Sequence, residues 1–144
     1  IHGSMRDLVV VGYGASELDD VLQKWTDSVG RVLRPDPEAE KGFYYRSDHF
    51  NFAKVGMPAL YTDAGIDHVV HGEEWTLARR EVYTAENYHQ PSDEYDPAWD
   101  LQGAMDDLQL YYAVGYDLAN SEAWPNWREG NEFRAAREAD RPGN

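Results

Sequence analysis

The chain has 144 residues, 42% hydrophobic and 13% aromatic, which is enough apolar mass for a core and too much for an intrinsically disordered chain. Its 27 acidic residues against 13 basic give a net charge of −14, a field that repels phosphate backbones and anionic lipid and argues against nucleic acid and membrane as partners. Cysteine is absent, so disulfides and cysteine zinc sites are excluded, and no apolar run approaches the ~18 residues of a spanning helix.

No signal-peptide pattern opens the chain, so it reads as soluble, with the compartment left open. Residues 1–4 precede Met5 and fit no element; Gly3-Ser4 resembles a remnant of a cloning site, and residues 5–144 are expected to form one α/β domain. Leu8 to Val11 is a β-branched run closed by Gly12 and Gly14, the pattern of a central strand buried on both faces. Ser16 and Asp19 resemble a capping box, and Leu18, Val21, Leu22, Trp25, Val29 and Val32 recur at helical spacing, which predicts a helix from about 17 to 33. Pro35 and Pro37 stop it, and the acidic stretch to Gly42 reads as an exposed loop.

Ser47 is the expected N-cap of a short helix that packs Phe50 and Ala53 and ends at Gly56 and Pro58. Ala59 to Thr62 reads as a second strand, and Asp63 to Ala85 as a long, partly helical loop without a sustained period. Asp100 caps a long helix whose expected apolar stripe is Leu101, Ala104, Met105, Leu108, Tyr112, Gly115 and Ala119. Trp124, Pro125 and Trp127 then lead into a charged helical pattern from about 131 to 140 that packs at its start and frays at its end. This order suggests an α/β fold, a partial mixed sheet flanked by helices, yet two strands are too few for a helix-covered sheet.

Two clusters can carry chemistry. In Tyr88-His89-Gln90-Pro91-Ser92-Asp93-Glu94-Tyr95-Asp96, the imidazole of His89 can face a metal while Asp93 or Asp96 accepts its other N–H, and the Tyr88 phenol can donate to a developing oxyanion. Read alone, the spacing favours a capping or surface role for His89 over a metal ligand. In Tyr45-Arg46-Ser47-Asp48-His49-Phe50, Arg46 offers a fork for a carboxylate at a helix start; the alternative is that Ser47 and Asp48 simply cap the helix. His68 and His71 with Glu73-Glu74 lack the spacing of a helical zinc motif and read as an exposed loop. No phosphate loop and no Gly-x-Ser-x-Gly elbow occurs.

The runs Gly42 to Lys54 with Gly56-Met57-Pro58-Ala59-Leu60, Tyr83 to Asp96, and Arg6 to Gly12 with Ser16 to Asp20 resemble, in this order, the C-terminal portion of the M28 family of zinc aminopeptidases. The resemblance covers nearly all of Met5 to Ala136. It implies the C-terminal part of a three-layer fold, a mostly parallel sheet between helix layers, with two zinc ions at the carboxyl ends of strands in the complete family enzyme. It implies that His89 is the last zinc ligand and that Tyr88 stabilises the tetrahedral intermediate, with Arg46, Asp48, His49 and Asp93 beside the substrate pocket or behind the metal ligands. In the family's chemistry a zinc-bound water, activated by a glutamate, attacks a peptide carbonyl.

The same resemblance implies a shortfall. The family's remaining ligands and its Glu-Glu pair belong to a segment upstream of the point matching Met5, and a stable zinc site usually needs about three or four protein ligands. The expected function is therefore a C-terminal aminopeptidase fragment that binds zinc weakly at most and is inactive alone. The alternative is a non-catalytic binding or self-associating module; a homo-oligomer through an exposed sheet edge is expected. A weaker third reading is adventitious metal binding by His49, His68, His71 and His89 across an oligomer interface.

Overall fold

The computed structural model describes residues 3–139. Strand β1, Asp7–Val11, is buried along its whole length and lies in the middle of a three-stranded sheet of order β2-β1-β3, as its unbroken apolar run requires. β2, Val32–Pro35, pairs parallel with β1, and β3, Tyr61–Asp63, pairs antiparallel with Val11 opposite Tyr61. The architecture is the expected mixed, open sheet with helices.

Helix α1, Leu18–Ser28, ends earlier than its periodicity predicts. Gly30 sits at φ 71°, a left-handed conformation that breaks the helix and lets Val32 and Leu33 turn into β2. Val32, counted in the helical stripe, is thus an exposed strand residue. Ser16 accepts the Leu18 N–H at 3.3 Å, while Asp19 turns backwards to accept the N–H of Gly14 at 2.7 Å. The expected capping box is thereby split between a helix start and the preceding turn.

The aromatic stretch is itself helical, as α2, Phe43–Arg46, and α3, His49–Ala53, follows directly. Neither Ser47 nor Asp48 caps α3 through its side chain; the Ser47 carbonyl accepts the Phe50 N–H instead. The stretch over 63–85, expected as a partly helical loop, is helical over more of its length than expected, as α4, Gly72–Glu86, which carries Glu73 and Glu74 in its first turn, where the helix dipole favours them. His68 is buried rather than in an exposed loop: its Nδ1 accepts the N–H groups of Val70 and His71, and its ring meets those of His71 and Trp75.

Helix α5, Gln102–Ala119, is long as predicted, and Asp100 accepts the Gln102 N–H at its start. Its buried face differs from the expected stripe. Leu110 and Val114 join Leu8, Val10, Leu22 and Leu33 in the core, with Val21, Trp25, Leu60 and Leu118 packed around them. Leu101, Met105, Leu108 and Tyr112 stay exposed.

Gly3 and Ser4, which carried no predicted element, are tied into the body: the Gly3 N–H donates to the Asp100 carbonyl and the Ser4 hydroxyl donates to Asp106. Asp7 pins the segment after β3, accepting the N–H groups of Ile66 and Asp67 at 2.9 Å. Gly65 must be glycine there, because a Cβ would collide with the Asp7 carbonyl and carboxylate. The second Asp7 oxygen lies 3.2 Å from the Arg34 guanidinium but off the axis of a hydrogen bond. The C-terminal segment returns to the body through Trp127, which bridges to Ser16 and is followed by α6, Arg134–Ala139. The fraying expected near residue 140 lies outside the described residues.

Candidate active site

A cleft of about 390 Å³ lies against the sheet, its walls made by β3 and by α4 and the start of α5. Val11, Asp36 and Tyr61 bring the carboxyl ends of β1 and β2 and the start of β3 to one end of it. In an α/β sheet with parallel strands this is the end where loops gather and ligands bind. Asp63, Arg80, Tyr83, Tyr88 and Asp107 add polar groups to the wall.

Most of these charges are already matched. Arg80 pairs with Asp63, leaving its second terminal nitrogen buried without a partner. Asp107 binds Arg31 at 2.6 Å; burial pushes its carboxyl above the usual 3.8, and the Arg31 hydrogen bond opposes that rise without cancelling it. Asp36 accepts the N–H of Glu38 in its own turn. The phenol of Tyr61 is pushed above its ordinary value by burial and that of Tyr83 by its hydrogen bond to Asp93, so both remain protonated donors at neutral pH.

Tyr88 reaches the cleft because α4 ends beside it. The N–H groups of Asn87 and Tyr88 both donate to the Tyr83 carbonyl, closing the last turn, and the rings of Tyr83 and Tyr88 lie 6.2 Å apart. His89 then adopts φ 59°, the one non-glycine residue with positive φ among the described residues. Its ring stacks on Tyr88 with centroids 3.9 Å apart. Asn87 and Ser92 bond across the loop, to the Ser92 and Glu86 carbonyls, and hold this turn against the helix end. A left-handed non-glycine backbone of this kind costs on the order of 1–3 kcal/mol and concentrates at functional positions.

The other expected site residues are distributed differently. Asp93 accepts the Tyr83 hydroxyl at 2.9 Å and Asp96 accepts the N–H of Ala98, so the two acids that can orient His89 by sequence are engaged elsewhere. Arg46 donates to the Lys41 carbonyl and lies over the Phe43 ring, and Asp48 is exposed; neither lines the cleft. His49 lines a second cavity with Ser47, Tyr61 and Tyr111, its ring edge-on to Tyr44. Both His49 ring nitrogens are buried without a partner, and burial lowers its pKa, which favours the neutral imidazole. Tyr61 borders both cavities and links the two predicted clusters.

Zinc chemistry needs several ligands converging on one point. Among the described residues no group of three or more histidine or carboxylate side chains is placed to hold a metal ion. The described residues therefore do not form a closed zinc site, and His89 lies stacked on Tyr88 at the edge of the cleft. Asp36, Asp63, Arg80 and Asp107, which the sequence reading did not single out, come together only through the folding of distant segments. No local spacing marks them.

Among the described residues no helix is long and apolar enough to cross a membrane. The sequence model of Peptidase family M28 matches residues 2–113, which include β1, the Arg46-to-Phe50 turn, the Tyr88-His89 turn and most of α5. No curated protein and no solved structure matches the chain.

Proposed function

The chain belongs to Peptidase family M28, and from that premise we propose that it is a partial aminopeptidase domain contributing one zinc ligand, His89, and one oxyanion donor, Tyr88. The family implies hydrolase chemistry on peptides and a general dependence on zinc. What supports the finer reading is one observation: Tyr88 lines the cleft by the carboxyl ends of the parallel strands, with His89 in a left-handed turn stacked against it. A phenol so placed donates a hydrogen bond to a scissile carbonyl oxygen as it gains negative charge. Arg46, Asp48 and His49 belong to the other turn and are proposed to act beside the substrate pocket, and Asp93 holds Tyr83, whose ring lies 6.2 Å from that of Tyr88 and which also lines the cleft. The remaining metal ligands and the catalytic glutamate must come from another polypeptide segment, so the chain alone is inactive.

The assay is hydrolysis of chromogenic aminoacyl substrates with added zinc. The expected rate equals that of the zinc-containing blank. Zinc-dependent turnover that His89→Ala abolishes would overturn the claim of inactivity.

A second reading, a non-catalytic self-associating module, is favoured by the apolar surface that α5 leaves uncovered. Sheet edges are less suited to it. β3 has three residues and β2 four, ending in Pro35, which blunts strand addition.

A further inference from the structure

Helix α5 is apolar on two opposite faces. Leu110 and Val114 are buried against the core, while Leu101, Met105, Leu108, Tyr112 and Tyr116, spaced four, three, four and four residues apart, form a second stripe exposed to solvent. Leu108 is 58% exposed and Tyr112 72%. A helix hydrophobic on both sides is the pattern of one packed between two layers, and among the described residues only one layer covers it.

The charges of the helix sharpen the point. Its acids, Asp106, Asp107 and Asp117, lie on the side facing the body, bonded to Ser4, Arg31 and Lys24. Along the exposed stripe, and at Ala104, Gln109 and Gly115 beside it, there is no charge, in a chain carrying −14. Such a stripe has nothing with which to select a charged partner.

We infer that this face is the interface of a homodimer in which α5 packs antiparallel on α5 of a second copy. The stripe is self-complementary about its middle. An antiparallel twofold near Leu108 sets Leu108 on its own copy, Met105 against Tyr112 and Leu101 against Tyr116. Each half thus lays aliphatic or thioether side chains on rings, a pairing that sulfur–aromatic attraction favours. Tyr112 and Tyr116 are already stacked at 5.9 Å and form one preorganised surface. The stripe runs about 24 Å at 1.5 Å per residue. Its five side chains expose on the order of 500 Å² per protomer, and with their polar rim they approach the roughly 800 Å² per partner of a standard interface. The inference is independent of the peptidase reading and concerns a surface of α5 rather than a sheet edge.

Two copies of charge −14 repel, so this dimer tightens with added salt, opposite to an interface held by ion pairs. Sedimentation velocity on the full chain at tens of micromolar is expected to give twice 16.5 kDa. Leu108→Glu, which buries a charge at the twofold, is expected to weaken the dimer at least about 100-fold with an unchanged circular dichroism spectrum, while Val70→Glu, exposed and outside α5, leaves it intact. Because the chain has no cysteine, Leu108→Cys gives an independent readout: it forms a disulfide-linked dimer under mild oxidation, and Val70→Cys does not. A monomeric wild type, a dimer indifferent to Leu108→Glu or dissociated by salt, or equal cross-linking of the two cysteine variants overturns the inference. So does a partner of different sequence on this face.

Discussion

Trp127→Ala is expected to cost about 3–5 kcal/mol, a large share of the roughly 5–15 kcal/mol by which small domains are stable. Trp127 is 0% exposed, its indole N–H donates to the Gly56 carbonyl at 2.9 Å, and its ring lies 5.3 Å from that of Phe133. The carbonyl it binds belongs to a turn with no slack. Gly56 sits at φ 86°, and a Cβ there would run into the backbone of Arg137. Removing the indole leaves a cavity and orphans a buried carbonyl, and it unfastens the C-terminal segment that Arg134 ties to the Trp127 carbonyl at 2.6 Å. Trp127→Phe, which keeps a ring and loses the hydrogen bond, is expected to cost less than half as much. Urea denaturation followed by far-ultraviolet circular dichroism measures both; a loss below about 1 kcal/mol for the alanine variant contradicts the assignment. Trp127 lies beyond the residues 2–113 that the family model matches.

The second large effect is expected at Arg31. Its guanidinium is nearly buried and binds Asp107 of α5 at 2.6 Å and the Asp7 carbonyl of β1 at 2.7 Å, joining helix to sheet beneath the core. Arg31→Met leaves Asp107 as an uncompensated, largely buried carboxylate, at a cost of about 3 kcal/mol at neutral pH. Burial already raises the Asp107 pKa above 3.8, and without Arg31 it rises further. A raised carboxyl contributes stability that is full below 3.8 and lost as pH rises through the folded value. The deficit of Arg31→Met is therefore expected to shrink as pH falls from 7 towards 4. Adding Asp107→Leu removes the stranded charge and is expected to restore most of the loss. A pH-independent deficit, or no recovery in the double variant, contradicts this account.

How much of this was legible in the sequence varied with the range of the interactions involved. β1 was legible because Val9, Val10 and Val11 in a row suit only a strand covered on both faces. β2 was hidden because Val32 and Leu33 extend the helical spacing of α1, and only the left-handed Gly30 separates the two elements. α4 is only partly legible because its buried side is little more than Thr76, so its sequence lacks the apolar period of a packed helix. In α5 the length was right and the face was not. Periodicity identifies an apolar stripe without saying what covers it, and the stripe formed by Leu101, Met105, Leu108 and Tyr112 is the uncovered one.

The two turns were legible as motifs through family resemblance, and both lie within the matched residues, the second with His89 at φ 59°. The cleft was not legible. Asp36, Asp63, Arg80 and Asp107 meet through the pairing of β3 with β1 and the placement of α4 and α5, and each alone is an ordinary surface charge. The departure of Asp93 and Asp96 from His89 has the same origin, since the packing of Tyr83 and the turn at Ala98 claim them.

We propose that this chain of Peptidase family M28 offers one metal donor, His89, and among the described residues no group of three or more ligands is placed to close a site around it. Calorimetric titration of the chain with zinc at neutral pH tests it most directly. The account predicts no stoichiometric binding tighter than about 1 µM and no difference between the wild type and His89→Ala. A one-to-one site of submicromolar affinity, lost in His89→Ala, would contradict it.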